Sequence, residues 1–337
     1  MGVMKSVAIA VVLFAVCSMS FAASAQSVQK NAASTDEIGP EHKYALLAGT
    51  DVFEYLLKWK PAPGLGTYPT IVDYGPIPGT WHVEFIRDML VNNLGWLPDH
   101  ITILLNEQNT KANLLAQISA LKQHDSPDSL FFIYLAGHGW IDQDKGSLLP
   151  GDEWDGTPIP GVDAYCDGTQ LPGSLAVRSH GSDPWDEVFQ PYDGIPPSMV
   201  NFVTDDELKV LFDQLAFEGK VVFATISCLG GGLIEDIARS NLLALGVGDS
   251  DRLEEHWWAI HLYWSYALAG WWTPELRPWY ISLDMNPDTS GDGKISVEEA
   301  YAWAVAAAGA TDPSYVAWGG GPCAQYMFDG ISGETFL

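Results

Sequence analysis

Basic residues are scarce in this sequence. Its 337 residues hold 16 Lys and Arg against 43 Asp and Glu, a formal net charge of −27. A chain so acidic repels phosphate backbones, which excludes nucleic acid held through backbone contacts as a partner. The same charge suits a protein in a salty or calcium-containing exterior. Long apolar runs are equally scarce. One lies at the start, VAIAVVLFAVCSM after Lys5 and Ser6, too short to span a bilayer comfortably and followed by Ala23-Ser24-Ala25. We expect a secretory signal peptide over 1–25, cut before Gln26, with an uncleaved anchor as the alternative. Its loss removes one charge, Lys5, and takes the formal net charge to −28. No later run is long enough for a second span, so the expectation is a secreted or periplasmic protein with no stable membrane insertion after cleavage.

Cysteine is the third scarcity. Cys17 falls in the leader, which leaves Cys166, Cys228 and Cys323. An odd number in an oxidising compartment leaves at least one thiol unpaired within the chain, or paired with another chain.

What is present begins after a flexible lead-in over 26–42. YALLAG (44–49), HITILLN (100–106), FFIYLA (131–136), VVFATIS (221–227) and LLALGVG (242–248) are short apolar runs that predict buried strands. Between them lie helical patterns. Val83, Ile86, Met89 and Leu90 share one face of the first, with Gly95 as its stop. Leu114, Leu115, Ile118 and Leu121 share a face of the second, which Asn109 or Thr110 can cap. Thr204 and Glu207 make a capping box for the third. Strands without polar alternation, separated by helices, predict an α/β domain over 43–337 with a mainly parallel sheet covered on both faces. Residues 141–203, crowded with Gly, Pro and Asp, are expected to be a long irregular loop or insertion.

The chemistry starts at FFIYLAGHGW (131–140), where an apolar run ends in Gly-His-Gly. In open parallel sheets, ligands and chemistry collect at the carboxyl ends of the strands. His138 follows one strand and Cys228 the next, so neighbouring parallel strands would put both on one edge. A thiol attacks as thiolate, and a nearby imidazole can take its proton. Gly139 lets the backbone turn closely around a carbonyl, and its N–H with that of Cys228 could form an oxyanion hole. A single such histidine or cysteine is ordinary core chemistry; the pair, in this order and at these strand ends, is not. His256 and His261 could compete as bases, but neither follows a strand.

The run from YALLAG through TKANLLAQISALKQHDSPDSLFFIYLAGHG, then TDDELKVLFDQLA and VVFATISCLGGG, resembles the caspase-like cysteine peptidases, especially bacterial metacaspase-type domains. The resemblance covers most of the chain from about 43 to 310. It implies a caspase-like three-layer α/β/α sandwich, protein or peptide substrates, and a His138–Cys228 dyad working through a thioester on Cys228. In those families the residue two before the cysteine is usually acidic or an amide and lines the pocket for the residue before the scissile bond. Here it is Ile226, which cannot pair with a cationic or amide side chain. The alternatives are Asp51, beyond the first strand, as a substitute, and a pocket that accepts an apolar side chain. Asp205 and Asp206 either complement the dipole of their helix or, as the resemblance implies, contribute to a calcium site.

DTSGDGKISVEE (288–299) is a second, independent signal. Asp288, Ser290, Asp292, the carbonyl of Lys294, Ser296 through water and Glu299 fall at the ligand positions of an EF-hand-like loop, with Gly293 at the sharp turn. Calcium there would be structural, and EEAYAWAVAAAG the exiting helix. The aromatic run HWWAIHLYWSYALAGWW (256–272) has helical spacing and reads as core, or as an aromatic wall beside the cleft. If Cys228 is a free nucleophile, arithmetic leaves Cys166 and Cys323 as a pair. The expected function is an exported cysteine endopeptidase with bound Ca2+. The alternatives are a catalytically silent calcium-binding scaffold or adhesion protein, and a peptide ligase using the same dyad.

Overall fold

The computed structural model describes residues 38–53, 79–143, 185–194, 200–227, 230, 232–235, 237–247, 258–273, 276, 285–311, 325–331 and 333–337. All belong to the unit Ile38–Leu337. The expected leader and most of the lead-in lie outside the described residues, as do Cys166, Cys228 and Cys323.

Among the described residues, six strands make the central sheet: β1 (Lys43–Gly49), β2 (Ile101–Leu105), β3 (Leu130–Ala136), β7 (Lys220–Ile226), β8 (Leu242–Val247) and β9 (Gln325–Asp329). Their order is β2-β1-β3-β7-β8-β9. The first five run parallel, and β9 closes one edge antiparallel to β8. Every residue of β3 is buried, as a strand covered on both faces must be.

Helices cover the two faces. On one lie α1 (Gly79–Asn92), α5 (Trp258–Leu268) and α6 (Val297–Thr311), whose Val83, Ile86, Trp264 and Trp303 pack with the even-numbered Phe132, Tyr134, Val222 and Ala224. On the other lie α2 (Lys111–Leu121), α3 (Asp205–Leu215) and the single turn α4 (Gly232–Glu235), against Phe131, Ile133, Val221 and Phe223. The period-2 alternation of side chains across the sheet assigns each set to its layer. The three-layer α/β/α sandwich with a mainly parallel sheet is therefore the architecture of the chain. Tyr263, Trp264 and Tyr266 are core, as their spacing suggested, whereas Trp271 at the end of the aromatic run is 37% exposed.

Local rules fix the helix starts. Thr110 accepts from Asn113 N at 3.3 Å, so Thr110 rather than Asn109 caps α2. The capping box of α3 is complete: Glu207 N donates to Thr204 Oγ1 at 3.1 Å and Thr204 N to Glu207 Oε2 at 3.2 Å.

The stretch 141–203 is not irregular throughout. His138–Gln143 forms β4, Trp185–Gln190 forms β5 and Val203–Thr204 forms β6, a small antiparallel sheet in the order β4-β5-β6. The sequence hid it because a six-residue strand flanked by Gly/Pro-rich segments, paired to a two-residue one, has no periodic pattern to detect.

Candidate functional site

The carboxyl ends of β1, β3 and β7 are tied into one rim. Thr50 N donates to Ala136 O, and Gly137 N donates to Ile226 O, each at 3.1 Å. Ala136 is the register partner of Ile226. His138 follows two residues past Ala136, and Cys228 two residues past Ile226. Cys228 itself lies outside the described residues.

His138 opens β4 and is half-buried, in register with Gln190 of β5. Its imidazole stacks on Phe53, with centroids 5.3 Å apart and planes 29° apart. Burial pushes its pKa down from 6.5 to about 4, which leaves the ring neutral at pH 7. Gly139, the proposed oxyanion donor, is an interior member of the same ladder, opposite Phe189.

The turn that carries Phe53 is held from three sides. Asp51 N and Val52 N donate to Asn106 Oδ1 at 2.9 and 3.3 Å. Asn109 Nδ2 donates to Thr50 Oγ1 at 3.0 Å. The Asp51 carboxylate accepts from Thr80 N at 2.7 Å and also from the Thr80 hydroxyl. Asp51 thus acts as a distant N-cap for α1, satisfying donors that a helix start leaves open. Both of its oxygens are engaged by Thr80 at the start of the helix. Ile226 is 1% exposed and packs with Val83, Ala136 and Ala224 beneath the rim. One turn into α1, His82 is buried, and desolvation lowers its pKa to about 4 against the opposing attraction of Asp51. Spacing could not reveal these parts, because Asp51 meets Thr80 and Asn106 across 29 and 55 residues.

Asp205 and Asp206 lie in the first turn of α3, with Asp206 N donating to Asp205 Oδ1 at 2.8 Å. The helix-dipole role has this support. Among the described residues, no three His, Cys, Asp or Glu side chains are grouped to hold a metal ion, at this pair or in the 288–299 loop. His256 and the side chain of His261 are outside the described residues.

The 288–299 loop is folded on its carboxylates. Asp288 accepts from Gly291 N at 2.7 Å and Gly293 N at 3.0 Å; Gly293, at φ +85°, makes the left-handed turn that position needs. Glu299 accepts from Thr289 N and Ser290 N at 2.7 Å and from Ser296 N at 3.2 Å, and Glu299 N donates to Ser296 Oγ at 3.1 Å. Asp292 accepts from Lys294 N at 2.8 Å. Ser296 thereby caps α6, a role that spacing alone did not assign. Burial and the charges of Glu299 and Asp292 push the carboxyl pKa of Glu334 up, so acidic groups crowd this end of the molecule. The oxygen-only donor set has the chemistry a hard cation takes.

No family model matches the chain, and no curated protein matches it. Among solved structures, the chain is similar to caspase-1 from Spodoptera frugiperda, at 9% identity and TM-score 0.44, over 89% of this chain and 91% of that one. It is also similar to protein GSU0716 from Geobacter sulfurreducens, at 14% identity and TM-score 0.39, over 67% and 83%. At such distances neither likeness carries an argument, and the functional reading rests on the residues of the rim. Among the described residues, no helix is long and apolar enough to cross a membrane.

Proposed function

We propose that the chain is an exported cysteine endopeptidase in which Cys228 is the nucleophile and His138 the base. The observation that carries this is the Ala136–Ile226 register, which aligns the ends of the two strands that lead to His138 and to Cys228. A neutral imidazole can accept the thiol proton. The thiolate then attacks the scissile carbonyl carbon, and the oxyanion is met by the N–H groups of Gly139 and Cys228. Collapse breaks the C–N bond, the imidazolium gives its proton to the leaving amine, and a thioester remains on Cys228. Water, deprotonated by His138, releases the acid and restores the thiol. Attack by an amine instead would make the same site a ligase.

Asp288, Ser290, Asp292, the Lys294 carbonyl, Ser296 through water and Glu299 would hold Ca2+ in this reading. The ion would supply structural cross-linking of the loop at the start of α6, not chemistry at the dyad.

Buried Ile226 favours the second reading, a silent scaffold, because it offers a substrate side chain no polar partner. Labelling decides between them. A peptide carrying a thiol-reactive group should modify Cys228 in the native protein and not in His138→Ala. No modification at Cys228 with any peptide of a diverse library, with and without calcium, would leave the scaffold reading.

A further inference from the structure

The base of a thiol peptidase must present one nitrogen to the sulfur while its ring is kept from rotating. In this chain the ring has a neighbour suited to that task. Phe53 is 1% exposed, so its own position is fixed by packing, and it lies in stacked contact with His138 at 5.3 Å. The ring is carried on a three-residue turn whose backbone is set from elsewhere. Asn106, in the left-handed region at φ +45°, aims its amide oxygen at Asp51 N and Val52 N. Thr50, just before, is bound to both Ala136 O and Asn109 Nδ2. A side chain one residue past so many anchors has little freedom left.

We propose that Phe53, held over His138 by Asn106, is a positioning residue: it fixes the plane of the imidazole and keeps water from that face. This rests on the reading of His138 as the base. An aromatic face offers the imidazole contact area but no charge, so it orients the ring without competing for its nitrogens. It also removes hydration that would favour the imidazolium. Gln190, opposite in β5, is neutral, Asp51 on the turn gives its oxygens to Thr80, and His82 belongs to α1 beside Asp51.

The test is a pair of measurements on the full chain. The first is an NMR titration of His138 in Cys228→Ala protein, its signals assigned against Cys228→Ala/His138→Gln. Phe53→Ala should raise the His138 midpoint from about 4 by one pH unit or more, toward the ordinary histidine value of 6.5. Phe53→Tyr should leave it in place. Asn106→Gly, which keeps the left-handed turn but removes the amide oxygen, should shift it in the same direction by less. If Phe53→Ala does not fold, Phe53→Leu keeps most of the volume and loses the ring. The second measurement is peptide cleavage with Cys228 restored: Phe53→Ala and Phe53→Leu should lose about tenfold in kcat with KM nearly unchanged, their acid limb moving to higher pH, while Phe53→Tyr keeps both. An unmoved midpoint in folded Phe53→Ala and Phe53→Leu overturns the proposal. A shifted midpoint in a protein that cleaves no peptide keeps the clamp and removes the peptidase reading.

Discussion

Ala136 and Ile226 are partners on the last rung between β3 and β7, and Gly137 N closes that rung on Ile226 O at 3.1 Å. From it the chain continues to His138 on one side and to Cys228 on the other. Replacing Cys228 by Ala is expected to abolish peptide cleavage while shifting the thermal midpoint little, since the rung is made of backbone. His138→Gln should lower kcat by about 10²- to 10⁴-fold, the span for loss of a general base. Steady-state kinetics with calorimetry on both variants checks this; cleavage persisting in Cys228→Ala would falsify the dyad.

The approach of α1 to the rim depends on two glycines. A Cβ on Gly79 would lie 2.8 Å from Thr50 N and O and 3.0 Å from Ala136 O, and one on Gly49 would lie 2.5 Å from Gly79 O. These neighbours are backbone and cannot rotate away. Gly79→Ala is expected to cost about 1–3 kcal/mol, read as a lower urea midpoint with an unchanged m-value.

Acid should destabilise the fold through His82 and His138, both lowered from 6.5 to about 4 by burial. Between those values the unfolded chain binds protons that the folded chain does not. Stability is therefore full above about pH 6.5 and falls as pH drops toward 4, by roughly 3 kcal/mol for each histidine across the window. Denaturation at a series of pH values should show this slope, and His82→Gln should flatten part of it. A pH-independent midpoint across that window would mean that neither ring is held neutral.

Calcium should raise the thermal midpoint if the 288–299 loop holds it. At a free concentration about a hundred times the dissociation constant, the gain is about 2.7 kcal/mol. Chelation should reverse it, and Asp288→Ala or Glu299→Gln should remove the calcium dependence. Glu299→Gln also weakens the hydrogen bonds to Thr289, Ser290 and Ser296, so its calcium-free midpoint is the control.

Particular residues show where sequence suffices. LFFIYLA and KVVFATI are β3 and β7 because unbroken apolar runs need cover on both faces, which only the middle of a parallel sheet supplies. Thr204 and Glu207 mark a helix start because both halves of the device are three residues apart. β5 was illegible: WDEVFQ alternates poorly and gains its pairing only when β4 and Val203 arrive beside it.

The sequence alone determined the layers, the strand ends that precede His138 and Cys228 in the chain, and the acid spacing of the 288–299 loop. All of these are short-range properties, set by hydrophobic period and by groups a few residues apart. Tertiary structure alone decided that Asp51 caps α1, that Ile226 is sealed into the core, and that Phe53 faces His138. Those relationships join segments tens of residues apart, and no local pattern encodes a contact that exists only after the sheet has brought its strand ends together.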